Sequence, residues 1–209
     1  MACSYTVGVL RYAITGGDYR SGDAERWAAE GVDFVQLREK QMDAGALTAL
    51  ARKLVGTLGP RTKLLVNGRA DVAIAAGAAG VHLTAHPDEL TPDQVRRVFA
   101  LAGAPEPTVS ISCHTLADVE RARDGGAELI LFGPVFEKRV DGTPIGAGTG
   151  PDMLRRACAA AAPVKVFALG GVTPANMEQC MDAGAAGIAG IRMFVSPQST
   201  FRSRLEPTP

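Results

Sequence analysis

One turn recurs four times in this chain, each time closing an alanine-rich amphipathic stretch and opening a short apolar run: Gly31-Val32-Asp33-Phe34, Gly77-Ala78-Ala79-Gly80, Gly125-Gly126-Ala127-Glu128 and Gly184-Ala185-Ala186-Gly187. Glycine ends a helix by taking the left-handed conformation that other residues resist. A helix that stops this way and hands over at once to a β-branched run is half of a parallel βα unit. The pattern predicts strands over residues 9–15, 34–38, 63–67, 80–83, 108–112, 129–133, 164–169 and 187–190. Between them it predicts helices over 23–30, 45–58, 70–76, 92–100, 116–124, 151–161 and 174–183, with Pro92, Pro151 and Pro174 at or near the first turn of three of them.

Eight parallel strands with helical crossovers close most simply as a (β/α)8 barrel. The expectation is therefore one α/β domain over residues 1–209, with a core over about 9–194 and a short tail, 195–209, that has room for only a stub of a last helix. An open doubly wound sheet would need G-x-G-x-x-G after its first strand, and Thr15-Gly16-Gly17-Asp18 offers only two adjacent glycines. With 46% hydrophobic residues among 209, the chain can bury one sizeable core.

Lys plus Arg number 22 and Asp plus Glu 22, so no basic surplus points to nucleic acid or an anionic membrane surface. A small metabolite is the better partner. Cys3, Cys113, Cys158 and Cys180 show no CxxC spacing, and nothing near Met1 reads as a signal peptide or spanning helix. That combination predicts a reducing cytoplasm with all four thiols free.

In a (β/α)8 barrel the chemistry sits on the loops after the strands. The second strand ends Gln36-Leu37-Arg38-Glu39-Lys40, where alternation aims Arg38 and Lys40 along one face toward an anion; elsewhere such a run is an ordinary rim ion pair. The last two strands end in Gly170-Gly171 and Gly190-Ile191-Arg192, which lets backbone N–H groups approach a phosphate. The sixth runs through Gly133-Pro134-Val135-Phe136-Glu137 into a glycine-rich loop at 142–150, a mobile lid or a plain surface loop.

Six segments, Gln36 to Lys40, Leu65-Val66-Asn67, Gly80 to Leu83, Ile111 to Thr115, Phe132 to Phe136 and Ala168 to Val172, together resemble thiamin phosphate synthase and its TenI-type relatives in order and spacing. The likeness covers about residues 10–194. It implies a (β/α)8 barrel and one of two activities. The synthase joins a pyrimidine methyl diphosphate to a thiazole phosphate and releases pyrophosphate; the TenI branch includes a tautomerase that moves a proton to aromatise a carboxylated thiazole phosphate. By resemblance, Arg38 and Lys40 bind diphosphate with Asn67 and Ser112 beside them, Lys138 matches a substrate-binding lysine of the sixth loop, and Gly170, Gly171, Gly190, Ile191 and Arg192 cradle the thiazole phosphate.

The departures from the pattern decide the branch. Synthases follow the matching Asn with Asp and place a second Asp shortly after the fourth strand, the pair holding Mg²⁺; here those positions are Gly68 and Pro87. A carboxylate-held metal contributes several kcal/mol to a departing diphosphate, so its loss favours the branch without diphosphate chemistry. Asn67-Gly68-Arg69 also resembles that branch, although Pro134 stands where the tautomerase has its catalytic His. Proton transfer then falls to His114, His82 or Glu137; a structural imidazole or a rim carboxylate is the ordinary role of each. His82 and His86, four apart on a strand and loop without HExxH, do not predict zinc.

The sequence thus predicts a thiazole phosphate-binding, thiazole tautomerase-type isomerase without a cofactor or metal. Its alternatives are a thiamin phosphate synthase using Mg²⁺ and a non-catalytic binder of phosphate ligands. The expected partner is a small thiazole phosphate, not nucleic acid or membrane, and a homo-oligomer is left open.

Overall fold

The computed structural model describes residues 8–16, 22–140 and 143–195, without the side chains of 138–145 and 195. Eight parallel strands close into a barrel: β1 (Leu10–Ile14), β2 (Phe34–Leu37), β3 (Lys63–Asn67), β4 (Gly80–Thr84), β5 (Thr108–Cys113), β6 (Leu129–Phe132), β9 (Lys165–Leu169) and β10 (Gly187–Gly190), with β10 returning to β1. β7 (Lys138–Val140) and β8 (Thr143–Gly146) pair antiparallel as a hairpin in the loop after β6, where the sequence suggested only an irregular loop. The helices are α1 (Asp23–Glu30), α2 (Ala44–Leu58), α3 (Ala70–Ala76), α4 (Pro92–Leu101), α5 (Leu116–Asp124), α6 (Pro151–Ala161), α7 (Met177–Asp182) and α8 (Arg192–Val195). This is a (β/α)8 barrel.

Period-two alternation divides each strand between two cores. Val81, Leu83, Val109, Ile111, Cys113, Ile130, Phe132, Val166 and Ala168 face outward and pack beneath the helices. Tyr12, Ile14, Leu65, Leu129, Leu131 and Phe167 face inward and fill the barrel. Inside, Tyr12, Phe34 and Phe167 form an aromatic floor with ring centroids 5.5–5.8 Å apart. Above that floor the inward positions of β4 and β5 are polar.

Helix ends follow the turn chemistry of the sequence. Gly31 and Gly77 take the left-handed conformation expected of them (φ 69 for both), whereas at the end of α5 that role passes from Gly125 to Gly126. Pro92 and Pro151 open their helices, but Pro174 does not. Asn176 accepts from Thr173 N–H at 2.7 Å and donates to Gly171 O at 3.0 Å, which holds residues 173–176 as a turn and delays α7 to Met177. Residues 196–209, and with them most of the expected tail, lie outside the described residues, as does Cys3; Cys113, Cys158 and Cys180 are free thiols.

Candidate functional site

The C-terminal ends of the strands gather the polar groups. Register sets Asn67 opposite His82 and Thr84 opposite Ser112. On β2, Gln36 is 2% exposed and donates through Nε2 to Asn67 Oδ1 at 2.8 Å, while its Oε1 has no partner. Arg38 is fixed through its backbone, whose N–H donates to Thr15 Oγ1 at 2.8 Å. A cavity of about 450 Å³ opens here, lined by Gly16, Arg38, Glu39, Lys40, Gln41 and Met42. Glu39 Oε1 is a second buried acceptor without a partner. An unmatched Glu39 acceptor in a cavity lined by two cations suits a ligand that carries both anionic oxygens and N–H donors.

Beside Asn67, Gly68 sits at φ +62 and donates its N–H to His82 O at 2.9 Å. A Cβ placed on Gly68 would lie 4.0 Å from Glu89 Oε2. Thr84 Oγ1 donates to that oxygen at 3.4 Å, and Leu90 N–H donates to Oε1 at 3.2 Å. A carboxylate therefore stands beside Gly68, from the loop that follows β4. The sequence signal for it was only an acid two residues beyond Pro87, and it was missed. Among the described residues no three His, Cys, Asp or Glu side chains gather as a metal cluster. Mg²⁺ commonly binds through one or two carboxylates plus substrate phosphates, and Glu89 is one carboxylate at this strand end, whereas Asn67 Oδ1 already accepts from Gln36.

His82 is not where an acid–base group is useful. It is 3% exposed inside the barrel, with Nδ1 2.8 Å from Ser110 Oγ and 3.3 Å from Tyr12 Oη, and Nε2 2.9 Å from Ser112 Oγ. Burial, helped by the Arg38 charge, pushes its pKa down to about 3. The imidazole stays neutral at physiological pH, which corrects the expectation that it could carry a proton there. Tyr12 and Ser110, which complete this polar chain, were not foreseen; their only signal was a polar residue at an inward strand position.

His114 is better placed. Its backbone N–H donates to Asp118 Oδ2 at 3.1 Å as part of the capping box that starts α5, and its Nδ1 lies 2.5 Å from Gly133 O. A carbonyl only accepts, so Nδ1 carries the hydrogen and Nε2 is left without a partner among the described residues. Burial works against ionisation of Asp118, yet the hydrogen bonds from His114 and Thr115 and the Arg121 charge hold its pKa below the ordinary carboxylate value. The ring thus reaches the peptide unit that precedes Pro134. Glu137 is exposed, and Lys138 starts β7 with its side chain outside the described residues.

The floor of the sixth and seventh loops is tightly interlocked. Val135 N–H donates to Leu169 O at 2.9 Å and Phe136 N–H to Gly170 O at 3.0 Å. An added Cβ would lie 2.0 Å from Leu169 O at Gly133 and 2.6 Å from Glu137 O at Gly171. Thr149 and Gly150 donate back to Pro134 O and Val135 O, both at 2.9 Å, so the base of the hairpin loop is pinned. Across the mouth, Ile191 packs on Gly16 and Arg192 begins α8, whose Phe194 O accepts from Trp27 Nε1 at 2.8 Å. Gly170-Gly171 and Gly190-Ile191-Arg192 therefore share this rim.

A family model described as thiamine monophosphate synthase matches residues 12–194. The chain belongs to that family. A putative thiamine-phosphate synthase of Geobacter sulfurreducens is 39% identical over 183 residues, 84% of this chain and 80% of its own. A thiamine-phosphate synthase of Koribacter versatilis is 34% identical over 178 residues, covering 84% and 80%. The thiamine phosphate pyrophosphorylase of Pyrococcus furiosus shares the fold at TM-score 0.72 and 24% identity, covering 91% of this chain and 90% of that one. Membership in the thiamine monophosphate synthase family brings thiamin biosynthesis and small-molecule substrates with it. No helix among the described residues is long and apolar enough to cross a membrane.

Proposed function

We propose that this family member is a transferase of the synthase type, joining a pyrimidine methyl diphosphate to a thiazole phosphate through a metal site reduced to one carboxylate. The observation that carries this is Glu89 Oε2, 4.0 Å from the Cβ position of Gly68 and held by Thr84. It answers the objection raised by Gly68 and Pro87, and the relatives named thiamine-phosphate synthase support the same choice. In this assignment Arg38 and Lys40 meet the diphosphate oxygens, Ser112 adds a hydroxyl, and Gly170, Gly171, Gly190, Ile191 and Arg192 hold the thiazole phosphate. Glu89 and Asn67 would hold Mg²⁺, which when bound neutralises charge growing on the departing diphosphate. One carboxylate binds such an ion weakly, so turnover depends on Mg²⁺ at millimolar rather than micromolar levels.

The test supplies purified protein with both precursors across a Mg²⁺ titration and measures pyrophosphate release. The expected result is slow release that requires Mg²⁺, with Glu89→Gln raising the Mg²⁺ concentration needed by about tenfold or more. Release that ignores Glu89→Gln removes the rebuilt site.

The position of His114 favours a second function, proton transfer on a carboxylated thiazole phosphate. Its Nδ1 is spent on Gly133 O, which aims Nε2 from beside Pro134, where the tautomerase carries its own His. That function predicts metal-independent turnover that falls by about 10² to 10⁴ in His114→Gln with little change in ligand affinity. Saturable binding without product in either assay would leave a non-catalytic binder of phosphate ligands.

A further inference from the structure

Four hydrogen-bonding groups connect the aromatic floor of the barrel to its mouth. Tyr12 Oη and Ser110 Oγ are 3.0 Å apart, both fully buried, and both approach His82 Nδ1, at 3.3 and 2.8 Å. His82 Nε2 then meets Ser112 Oγ at 2.9 Å. Burial raises the Tyr12 pKa well above its ordinary value, so the phenol keeps its proton, and His82 is neutral.

Proton counting then fixes the tautomer. Tyr12 and Ser110 each bring one hydroxyl proton, and within this triangle the only acceptors are each other and Nδ1. If Nδ1 is bare, Tyr12 donates to Ser110 and Ser110 donates to Nδ1, and both protons are placed. If Nδ1 carries hydrogen, the two hydroxyls have a single contact between them and only one can donate across it. One buried hydroxyl proton is then stranded, which disfavours that tautomer by roughly tenfold to a hundredfold. The imidazole hydrogen therefore sits on Nε2 and donates to Ser112 Oγ, so the Ser112 proton has to point elsewhere. Ser112 is half-buried at the end of β5, and its hydroxyl makes no other contact among the described residues.

We propose that His82 is a positioning residue, locked as its Nε2–H tautomer by Tyr12 and Ser110, which turns Ser112 into a hydroxyl donor aimed at an anionic phosphate oxygen in the mouth. The proposal rests on the mouth being an anion site, as the proposed function has it. The reverse tautomer would take the Ser112 proton for itself and present only lone pairs to the anion. A positive group nearby would do the same work less selectively; a fixed neutral donor adds direction without adding charge.

The deciding measurement is the ¹⁵N spectrum of histidine-labelled protein without ligand, with the His82 signals assigned by their loss in His82→Gln. Protonated Nε2 and bare Nδ1 are expected at neutral pH, and a protonated Nδ1 overturns the proposal. Binding of inorganic pyrophosphate by calorimetry tests the consequence. The amide nitrogen introduced by His82→Gln reaches the Nε2 position and keeps the donor, so affinity stays within about threefold, whereas His82→Asn and Ser112→Ala each weaken it by about tenfold or more. Equal loss in His82→Gln and His82→Asn, or no loss in Ser112→Ala, overturns the aiming role. A parent protein that binds no pyrophosphate sinks the anion site itself, and the nitrogen spectrum separates that failure from failure of the tautomer.

Discussion

Gly68→Asp should reveal whether Glu89 occupies the place of the missing acid. The new side chain must accept φ +62, which costs an L-residue roughly 1–2 kcal/mol, with Asp at the low end because it tolerates this region best. Its Cβ would stand 4.0 Å from Glu89 Oε2, bringing two carboxylates close together. Two unit charges at ~4 Å and an effective dielectric of ~20 repel by about 4 kcal/mol. Glu89 is half-exposed, so solvent and salt reduce this to about 1 kcal/mol. In chelator, Gly68→Asp should thus lose about 2 kcal/mol, or about 4–8 °C of Tm for a chain of this size. In the Glu89→Gln background the same substitution should cost about 1 kcal/mol less, a coupling that a double-mutant cycle of thermal melts resolves. Mg²⁺ should offset most of this loss, because a paired site binds it more tightly, and the variant should regain about 1.4 kcal/mol when the free ion is ~10 times its Kd. Pyrophosphate release should rise with it, by about tenfold or more. Additive melts in chelator would refute the placement of Glu89, whatever the activity shows.

Other outcomes follow from the geometry. Gly133→Ala puts a Cβ 2.0 Å from Leu169 O, a backbone atom that cannot step aside, so urea unfolding should show a loss of about 3 kcal/mol or more; a midpoint like the parent's would mean the sixth and seventh loops are not interlocked. His82, pushed down to about 3 by burial and by Arg38, lets the unfolded chain take the proton first as pH falls. The stability it contributes is complete above pH ~6.5 and drains away between pH ~6.5 and ~3 at about 1.4 kcal/mol per pH unit. Comparing melts of the parent and His82→Gln from pH 7 to pH 4.5 should show the parent losing about 2–3 kcal/mol more; parallel curves would place His82 in water.

What the sequence could and could not say divides along physical lines. The barrel was legible because backbone chemistry is local: a left-handed glycine at 31 or 77 ends its helix whatever surrounds it, and the β-branched runs that follow can only pair as strands. Pro174 misled for the same reason, since proline favours a first helical turn but Asn176 imposes its own turn on residues 173–176. Placement at the mouth was legible only where one strand end carried the polar residue, as at Arg38, Asn67 and Ser112. Glu89 was invisible because its meaning lies in its distance from Gly68 across a loop, and no spacing rule encodes that. His82 and His114 looked alike as lone imidazoles near strand ends. Strand alternation turns one into the barrel, and the α5 capping box turns the other toward Gly133.

The uncharged Gly68 and Pro87 also bear on the field at the mouth. Aspartates at 68 and 87 would add two negative charges to the loops after β3 and β4, against which a diphosphate would have to approach. Without them an anionic ligand enters a mouth that is less negative by two charges. Binding of phosphate and pyrophosphate should then depend little on Mg²⁺, while any step that ionises the diphosphate depends on it strongly. In the proposed synthase the two behaviours would separate: ground-state affinity would rest on Arg38, Lys40 and the donor proposed at Ser112, and only the growing charge of the transition state would call on the metal. Pyrophosphate affinity that collapses in chelator would mean that Glu89 and Asn67 hold the ion before substrate arrives, and that the cations following β2 do not suffice.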